Sequence, residues 1–313
     1  MQSDVEEDHT DNIAELDYQS LLEEVTVDET ELDLIHFRLK QTKFLTPYTN
    51  LNRLCLRQNL LTKIDGLETL VKLQDLDLYD NRLTAIENLE TLTQLSRLDL
   101  SYNKIRKIEN IGHLTKLTSL FFVANKISKI EGLETLVNLT NLELGANRIR
   151  VVENLDTLRN LEQLWLGKNK IVKIQGLDKL QSLNLLSIQS NRIAKLEGLS
   201  HLKNLTELYT SHNLIKKVEG LPKSISTLDI GNNEIEHLEG LEGLDKLEEL
   251  WASYCKFNSF EEIEAQLAKK KKLVTVYFEG NPIESGQNPA YRIKLKFMLP
   301  QISQIDATIV RPQ

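Results

Sequence analysis

An α/β solenoid that contributes one short strand per coil is the fold this sequence predicts. Three observations carry that expectation. The stretch Leu161-Glu162-Gln163-Leu164-Trp165-Leu166-Gly167-Lys168-Asn169 sets a frame, Leu-x-x-Leu-x-Leu-x-x-Asn, whose leucines alternate as on the buried face of a strand. The asparagine that closes the frame recurs at Asn59, Asn81, Asn103, Asn125, Asn147, Asn169, Asn191 and Asn213, always 22 residues on. A period of 22 residues holds a strand, a turn and a tight return. It leaves little room for a full α-helix on the far side.

Frame and period together are the leucine-rich-repeat signature. They imply a horseshoe with a parallel concave sheet, a convex side of 3₁₀ turns and short helical pieces, and a cap at each end. One period buries Leu76, Leu78, Leu83, Ile86, Leu89, Leu92 and Leu95. Each such side chain is worth roughly 1.5–3 kcal/mol relative to exposure. A single coil cannot hide its faces alone, so stacking completes the core. A chain of 313 residues is therefore expected to be one elongated domain, and a free monomer, rather than two globules.

Taken in order, residues 1–30 are polar and acidic and predict a disordered tail. Residues 1–37 hold 13 Asp and Glu and no Lys or Arg. The whole-chain charge of −8 thus belongs to the tail, and the remainder carries a net +5. Within the tail, Ile13 to Leu22 is weakly amphipathic. It suits a solubilising segment or, more sharply, an acidic docking or phosphorylation segment. Residues 31–50 form a degenerate N-terminal cap coil. Phe37 takes the asparagine place there, and Leu39, Leu45 and Leu51 keep the frame. Residues 51–281 are the repeats, with 3₁₀ turns expected in segments such as Leu67–Leu70 and Leu133–Leu136.

After Asn213 the spacing changes. Asn233 follows after 20 residues, Cys255 takes the asparagine place 22 further on, and Asn281 comes 26 after that. The additional residues lie in Ser259–Leu267, where Ser259 and Glu262 suggest a capping box and a true helix. Residues 282–313 form the C-terminal cap. Asn288-Pro289 suits a helix start and Pro300 a stop. Tyr291, Leu295, Met298 and Leu299 are placed to cover the last coil, and Ile302 to Val310 is strand-like. Each turn asparagine, Asn233 and Asn281 included, is assigned a structural role, because its amide supplies both donors and an acceptor where the chain bends.

Composition excludes several functions. No apolar run approaches the roughly 20 residues of a membrane span, and no secretory signal opens the chain. Cys55 and Cys255 alone make no disulfide framework, which points to a reducing compartment. No concentrated basic face marks a nucleic-acid binder. The Arg82, Lys104, Lys126, Arg148, Lys170, Arg192 row and the Glu87, Glu109, Glu131, Glu153, Glu197, Glu219 row fit a solvated flank. Lys269 to Lys272 fits a helix end. No phosphate-cradling glycine loop occurs, and His113, His201 and His212 lack partners at catalytic or metal-ligand spacing. The sequence reads as a protein that is not an enzyme and needs no cofactor or metal.

Function is expected on the concave face. Side chains alternate along a strand, so the residue between the second and third leucines points outward. Coil by coil that row is Cys55, Asp77, Asp99, Phe121, Glu143, Trp165, Ser187, Tyr209, Asp229, Trp251 and Tyr277. It contains both tryptophans, and Glu249 points the same way. Solvated aromatics between carboxylates are what a protein-binding surface presents.

Frame, row and ending together resemble the protein phosphatase 1 regulatory subunit 7 family, leucine-rich-repeat partners of that phosphatase's catalytic subunit. The resemblance covers roughly residues 31–311. It rests on Leu76-Asp77-Leu78-Tyr79-Asp80-Asn81, on Leu166-Gly167-Lys168-Asn169-Lys170 and on Gln304-Ile305-Asp306-Ala307-Thr308. The cap Asn281-Pro282, Tyr291-Arg292, Leu299-Pro300 and Asp306 is shared with other families. The resemblance implies a nuclear and cytoplasmic regulator that binds the phosphatase catalytic subunit, acts in mitotic chromosome segregation, and works with a small inhibitor protein. It assigns the contact to Asp99, Phe121, Glu143, Trp165, Asp229, Glu249, Trp251 and Tyr277. Three positions depart from the family pattern: Trp165 replaces a phenylalanine, Cys255 an asparagine, and Ala252 is small for a core position. Two rival functions are a spliceosomal scaffold that docks an RNA-binding module and a cytoskeletal or axonemal adaptor.

Overall fold

A computed structural model of the chain describes Leu22, residues 25–284 and residues 290–311. Most of the acidic segment 1–30 and the Asn288-Pro289 helix start lie outside the described residues. Within them a single 14-stranded sheet runs in strict sequence order. Its strands are β1 (Glu31–Asp33), β2 (Arg53–Cys55), β3 (Asp75–Asp77), β4 (Arg97–Asp99), β5 (Ser119–Phe121), β6 (Asn141–Glu143), β7 (Gln163–Trp165), β8 (Leu185–Ser187), β9 (Glu207–Tyr209), β10 (Thr227–Asp229), β11 (Glu249–Trp251), β12 (Thr275–Tyr277), β13 (Gln304–Ile305) and β14 (Thr308–Ile309). All neighbours pair in parallel until β14 turns back antiparallel on β13. The middle residue of each three-residue strand is the second leucine of the frame or its equivalent, and it is buried in every coil from β1 to β12. The core is one continuous apolar column from Leu22 to Ile305.

The turn asparagines lock successive coils together. Asn147 is representative. Its Nδ2 donates to Phe122 O of the preceding coil at 2.8 Å and to Leu144 O and Gly145 O of its own coil, both at 3.1 Å. Its Oδ1 accepts from Ile127 N at 3.0 Å. The same pattern holds at Asn59, Asn81, Asn103, Asn125, Asn169, Asn191, Asn213 and Asn233. Asn281 accepts from Phe257 N and donates to Ala252 O and Phe278 O. Cys255 fills the gap in this ladder with its thiol, which donates to Ile230 O at 3.3 Å. Burial pushes that thiol up to about 11.

The convex return carries the expected 3₁₀-type turns as single i to i+3 bonds. Leu70 N donates to Leu67 O and Leu136 N to Leu133 O, each at 3.0 Å, and a second such turn follows at Leu73 and Leu139. Lys43–Leu45 and Pro282–Glu284 reach the length of a 3₁₀ helix. A second bend falls where each coil leaves the convex side. Gly66, Gly132, Gly176, Gly198, Gly220 and Gly240 hold a positive φ there. In the coils without glycine, Asn88, Asn110 and Asn154 take the same conformation and donate to Ile64 O, Ile86 O and Ile130 O.

The insertion forms α1 (Phe260–Leu267), with Ser259 Oγ accepting from Glu262 N at 3.2 Å. The expected capping box closes only halfway. The Glu262 carboxylate reaches the preceding coil instead, 2.9 Å from His237 Nδ1 and 3.1 Å from Leu238 N, so it ties helix to coil. The lysine run begins after α1 rather than in its last turn, and Lys270 is buried.

The C-terminal cap is α2 (Tyr291–Met298) followed by β13 and β14. Ala290 precedes the helix without a side-chain cap. Asp306 organises the closure: its Oδ1 accepts from Phe278 N at 2.9 Å and Glu279 N at 3.0 Å, and Tyr291 OH donates to its Oδ2 at 3.2 Å. Leu295 and Leu299 are fully buried beneath. At the other end Leu39, Leu45 and Leu51 are also fully buried, while Phe37 stays exposed.

Candidate protein-binding face

The in-register pairing places the concave row in one unbroken line, Asp77 beside Asp99, then Phe121, Glu143, Trp165, Ser187, Tyr209, Asp229, Trp251 and Tyr277. With strands about 4.8 Å apart, the line from Asp99 to Tyr277 spans roughly 40 Å. Its residues are not equally open. Trp251 is 36% exposed, while Phe121, Trp165, Tyr209 and Tyr277 are half-buried. The sequence suggests solvated aromatics, and Trp251 fits that better than the other four. Those four are less open because rings on neighbouring strands lean on each other and on charged neighbours.

The carboxylates lie deeper still. Asp99 and Asp229 are 7% and 8% exposed, because each caps its own strand end. Asp99 Oδ1 accepts from Ser101 N at 3.0 Å and Asp229 Oδ1 from Gly231 N at 3.1 Å. Burial raises the Asp229 carboxyl above the usual carboxylate range. Glu143 is raised by burial and by Asp99.

Two zones result. Toward the N-terminus the face is internally paired. Arg97 bridges Asp75 at 3.0 Å and Asp99 at 3.2 Å, and its guanidinium lies 5.0 Å from the Phe121 ring centroid. Arg53 neighbours Asp33 and Asp75. Arg57 covers Tyr79 at 4.2 Å, and Tyr79 meets Tyr102 at 4.8 Å between centroids. Toward the C-terminus an aromatic cluster is open. Trp251 lies 5.9 Å from Tyr209 and 6.1 Å from Tyr277, ring to ring. Trp251 Nε1 donates to Glu249 Oε2 at 3.1 Å, and Tyr209 OH donates to Glu207 Oε2 at 2.8 Å. Gln304 Nε2 donates to Tyr277 OH at 2.6 Å and so fixes the last ring to the cap. Asp229, Trp251, Tyr254 and Tyr277 enclose a hollow of about 380 Å³. Its aromatic faces and the Asp229 carboxylate are complementary to an apolar or cationic side chain of another protein.

Arg97, Glu207, Tyr79, Tyr102 and Tyr254 belong to this surface and are absent from the expected set. The signal for Arg97 was present: the column one residue before the central leucine reads Arg53, Asp75, Arg97, an alternation of sign at the repeat period. The flanking charge rows form ion pairs along the exposed flank. Glu109, Glu131 and Glu197 meet Lys107, Lys129 and Lys195 rather than the basic residues after the asparagines. His113 and His201 each lie against a carbonyl of the preceding coil, Leu89 O and Leu177 O. Among the described residues no group of three or more His, Cys, Asp or Glu could hold a metal ion, and no helix is long and apolar enough to cross a membrane.

Comparison with known proteins agrees with this architecture. The leucine-rich-repeat family model matches residues 51–166, and the two-copy leucine-rich-repeat model matches residues 181–223. Protein phosphatase 1 regulatory subunit SDS22 of Schizosaccharomyces pombe is 53% identical over 55 residues, 18% of this chain and 17% of that protein. The subunit of the same name in Saccharomyces cerevisiae is 44% identical over 54 residues, 17% of this chain and 16% of that one. The match therefore spans less than a fifth of either relative's length. Among solved structures, the internalin InlF of Listeria monocytogenes superposes with a TM-score of 0.70 at 24% identity, covering 93% of this chain and 94% of that one. The functional domain of InlJ from the same organism reaches 0.71 at 22% identity, covering 88% and 62%. These two show the fold alone. The chain is a leucine-rich-repeat protein, and the SDS22 regulatory subunits of protein phosphatase 1 are its relatives.

Proposed function

We propose that this chain is a non-catalytic regulatory subunit that seats the catalytic subunit of serine/threonine protein phosphatase 1 on its concave face. One observation carries the reading: a single in-register row sets Phe121, Trp165, Trp251 and Tyr277 among the carboxylates of Asp99, Glu143 and Asp229, with Glu249 beside Trp251 on the same strand. The identity with SDS22 chains supports the choice of partner. A line of roughly 40 Å suits a folded protein better than a small molecule. By seating the catalytic subunit, the concave face controls its activity, maturation or targeting. A small inhibitor protein joins the complex, which works in the nucleus and cytoplasm during chromosome segregation.

The test is capture of purified phosphatase 1 catalytic subunit on the immobilised chain. Trp165→Ala with Trp251→Ala is expected to weaken binding by at least about 30-fold, since a buried indole is commonly worth about 2 kcal/mol or more. Undiminished capture by the double variant, with its melting curve unchanged, overturns the proposal.

A further inference from the structure

The outer face of the C-terminal cap departs from the rule that ends a solenoid. A terminal coil stays soluble by turning polar side chains outward, because no further coil covers it. On α2 the inward residues Tyr291 and Leu295 are buried, as that rule requires. On the opposite side, Ile293 and Phe297 are 58% and 69% exposed. Spaced four residues apart on a helix, they form one apolar ridge. Cations border it. Arg292, Lys294 and Lys296 share the helix, and Lys294 Nζ is held 4.8 Å above the Phe260 ring of α1. Residues 268–311 carry eight Lys and Arg against three Asp and Glu.

An apolar ridge bordered by cations is complementary to an acidic segment with apolar residues at helical spacing. This chain contains such a segment. Residues 1–24 hold nine Asp and Glu and no Lys or Arg, and Ile13, Leu16 and Leu21 recur at i, i+3 and i+8. We propose that the ridge of Ile293 and Phe297 docks the segment 1–21 of a second copy of the chain, head to tail. Docking within one copy is out of reach. Leu22 is buried against the N-terminal cap, so Ile13 lies at most about 32 Å from it along an extended chain. Measured along the sheet, β13 lies about 58 Å from β1 at ~4.8 Å per strand, nearly twice that reach. The contact is heterologous: each copy offers a ridge at one end and a segment at the other, so association grows with concentration.

The experiment titrates a fluorescein-labelled peptide of residues 1–21 into the full-length chain and follows anisotropy. Sedimentation velocity of the unlabelled chain across a concentration series runs beside it. Saturable binding is expected, weakened roughly tenfold or more by Ile293→Ser with Phe297→Ser, by Glu15→Lys with Asp17→Lys in the peptide, and by raised salt. Sedimentation should quicken with concentration for the natural chain and stay flat for the ridge variant. Both ridge side chains are exposed, so the variant should keep its thermal midpoint and remain a fair comparison. Absence of saturable binding, or binding and sedimentation undiminished in the ridge variant, overturns the proposal. Capture of an acidic partner by the ridge without binding of the peptide overturns it as well, because the occupant would then be another protein. None of these outcomes bears on the concave face, since the ridge lies outside it.

Discussion

Asn147 satisfies three carbonyls and one amide with a single side chain, and two of those four groups belong to the preceding coil. Truncating it leaves Ile127 N without an acceptor in a buried site, at about 1–3 kcal/mol, while Phe122 O, Leu144 O and Gly145 O keep Asn125, Asn169 and Ala124 N as donors. Asn147→Ala should therefore cost about 1–3 kcal/mol in urea denaturation. Cys255 is the natural counterpart. Its thiol keeps the bond to Ile230 O but is a weak donor and a weak acceptor for the Ile235 amide beside it. Cys255→Asn should raise stability by about 1 kcal/mol by the same measurement, and a loss would show that the neighbouring backbone has adapted to sulfur. Asp229 adds a pH signature. Burial raises its folded carboxyl above the unfolded value of about 3.9. The folded state then binds the proton more tightly, so the stability this group contributes is present below that unfolded value. It is lost as pH rises through the folded one. Asp229→Asn removes that dependence and keeps an acceptor for Gly231 N. Its thermal midpoint should exceed that of the natural chain at pH 7, and the two should converge as the pH falls toward 4. A gap of constant size across this range would contradict the assignment.

At the scale of the coil, the frame made the strands legible because a leucine at fixed spacing can only be buried one way. The Asp-Leu-Asp, Ser-Leu-Phe and Gln-Leu-Trp strands follow directly from it. The concave row was legible for the same reason, since alternation assigns its direction. Its depth was not. Asp99 and Asp229 sink because their carboxylates find an amide two residues on, and a spacing argument counts directions without counting hydrogen bonds. Glu262 escaped for a related cause: the local pattern pairs it with Ser259, but a partner 25 residues back outcompetes. The second bend of each coil was equally hidden, although its chemistry is simple. Gly132 has a φ of +72° and a built Cβ would lie 2.6 Å from Ile108 O, while Asn154, in the following coil, donates to the matching carbonyl at 2.7 Å. Gly132→Val should thus cost about 2 kcal/mol or more through left-handed strain and the clash, and Gly132→Asn less than half of that. Paired urea titrations decide it, and equal losses would mean that space rather than conformation selects the residue.

Across the whole molecule, each strand touches only its neighbours in the sheet, so stability is a chain of similar interfaces closed by two different caps. The C-terminal closure depends heavily on one residue. Asp306 accepts from Phe278 N, Glu279 N and Tyr291 OH, while Gln304 ties Tyr277 to the same corner. Removing that carboxylate leaves the Phe278 and Glu279 amides of the last full coil without an acceptor and breaks the Tyr291 tie between α2 and the sheet. A globular core would answer with a uniform loss of stability, whereas a nearest-neighbour array should fray from the damaged end. The two tryptophans sit where this difference is visible, Trp165 on β7 near the centre and Trp251 on β11 beside the cap. In single-tryptophan versions made with Trp165→Phe or Trp251→Phe, the intact chain should give fluorescence transitions that nearly coincide in urea. Adding Asp306→Ala should move the Trp251 transition to lower urea by more than it moves the Trp165 transition, so that the two separate. Equal shifts at both reporters would show that coupling between coils outweighs the local defect and that the array unfolds as one unit. The same coupling determines how firmly the concave face holds its curvature, so the separation of these curves also measures how rigid a seat the row would give the proposed partner.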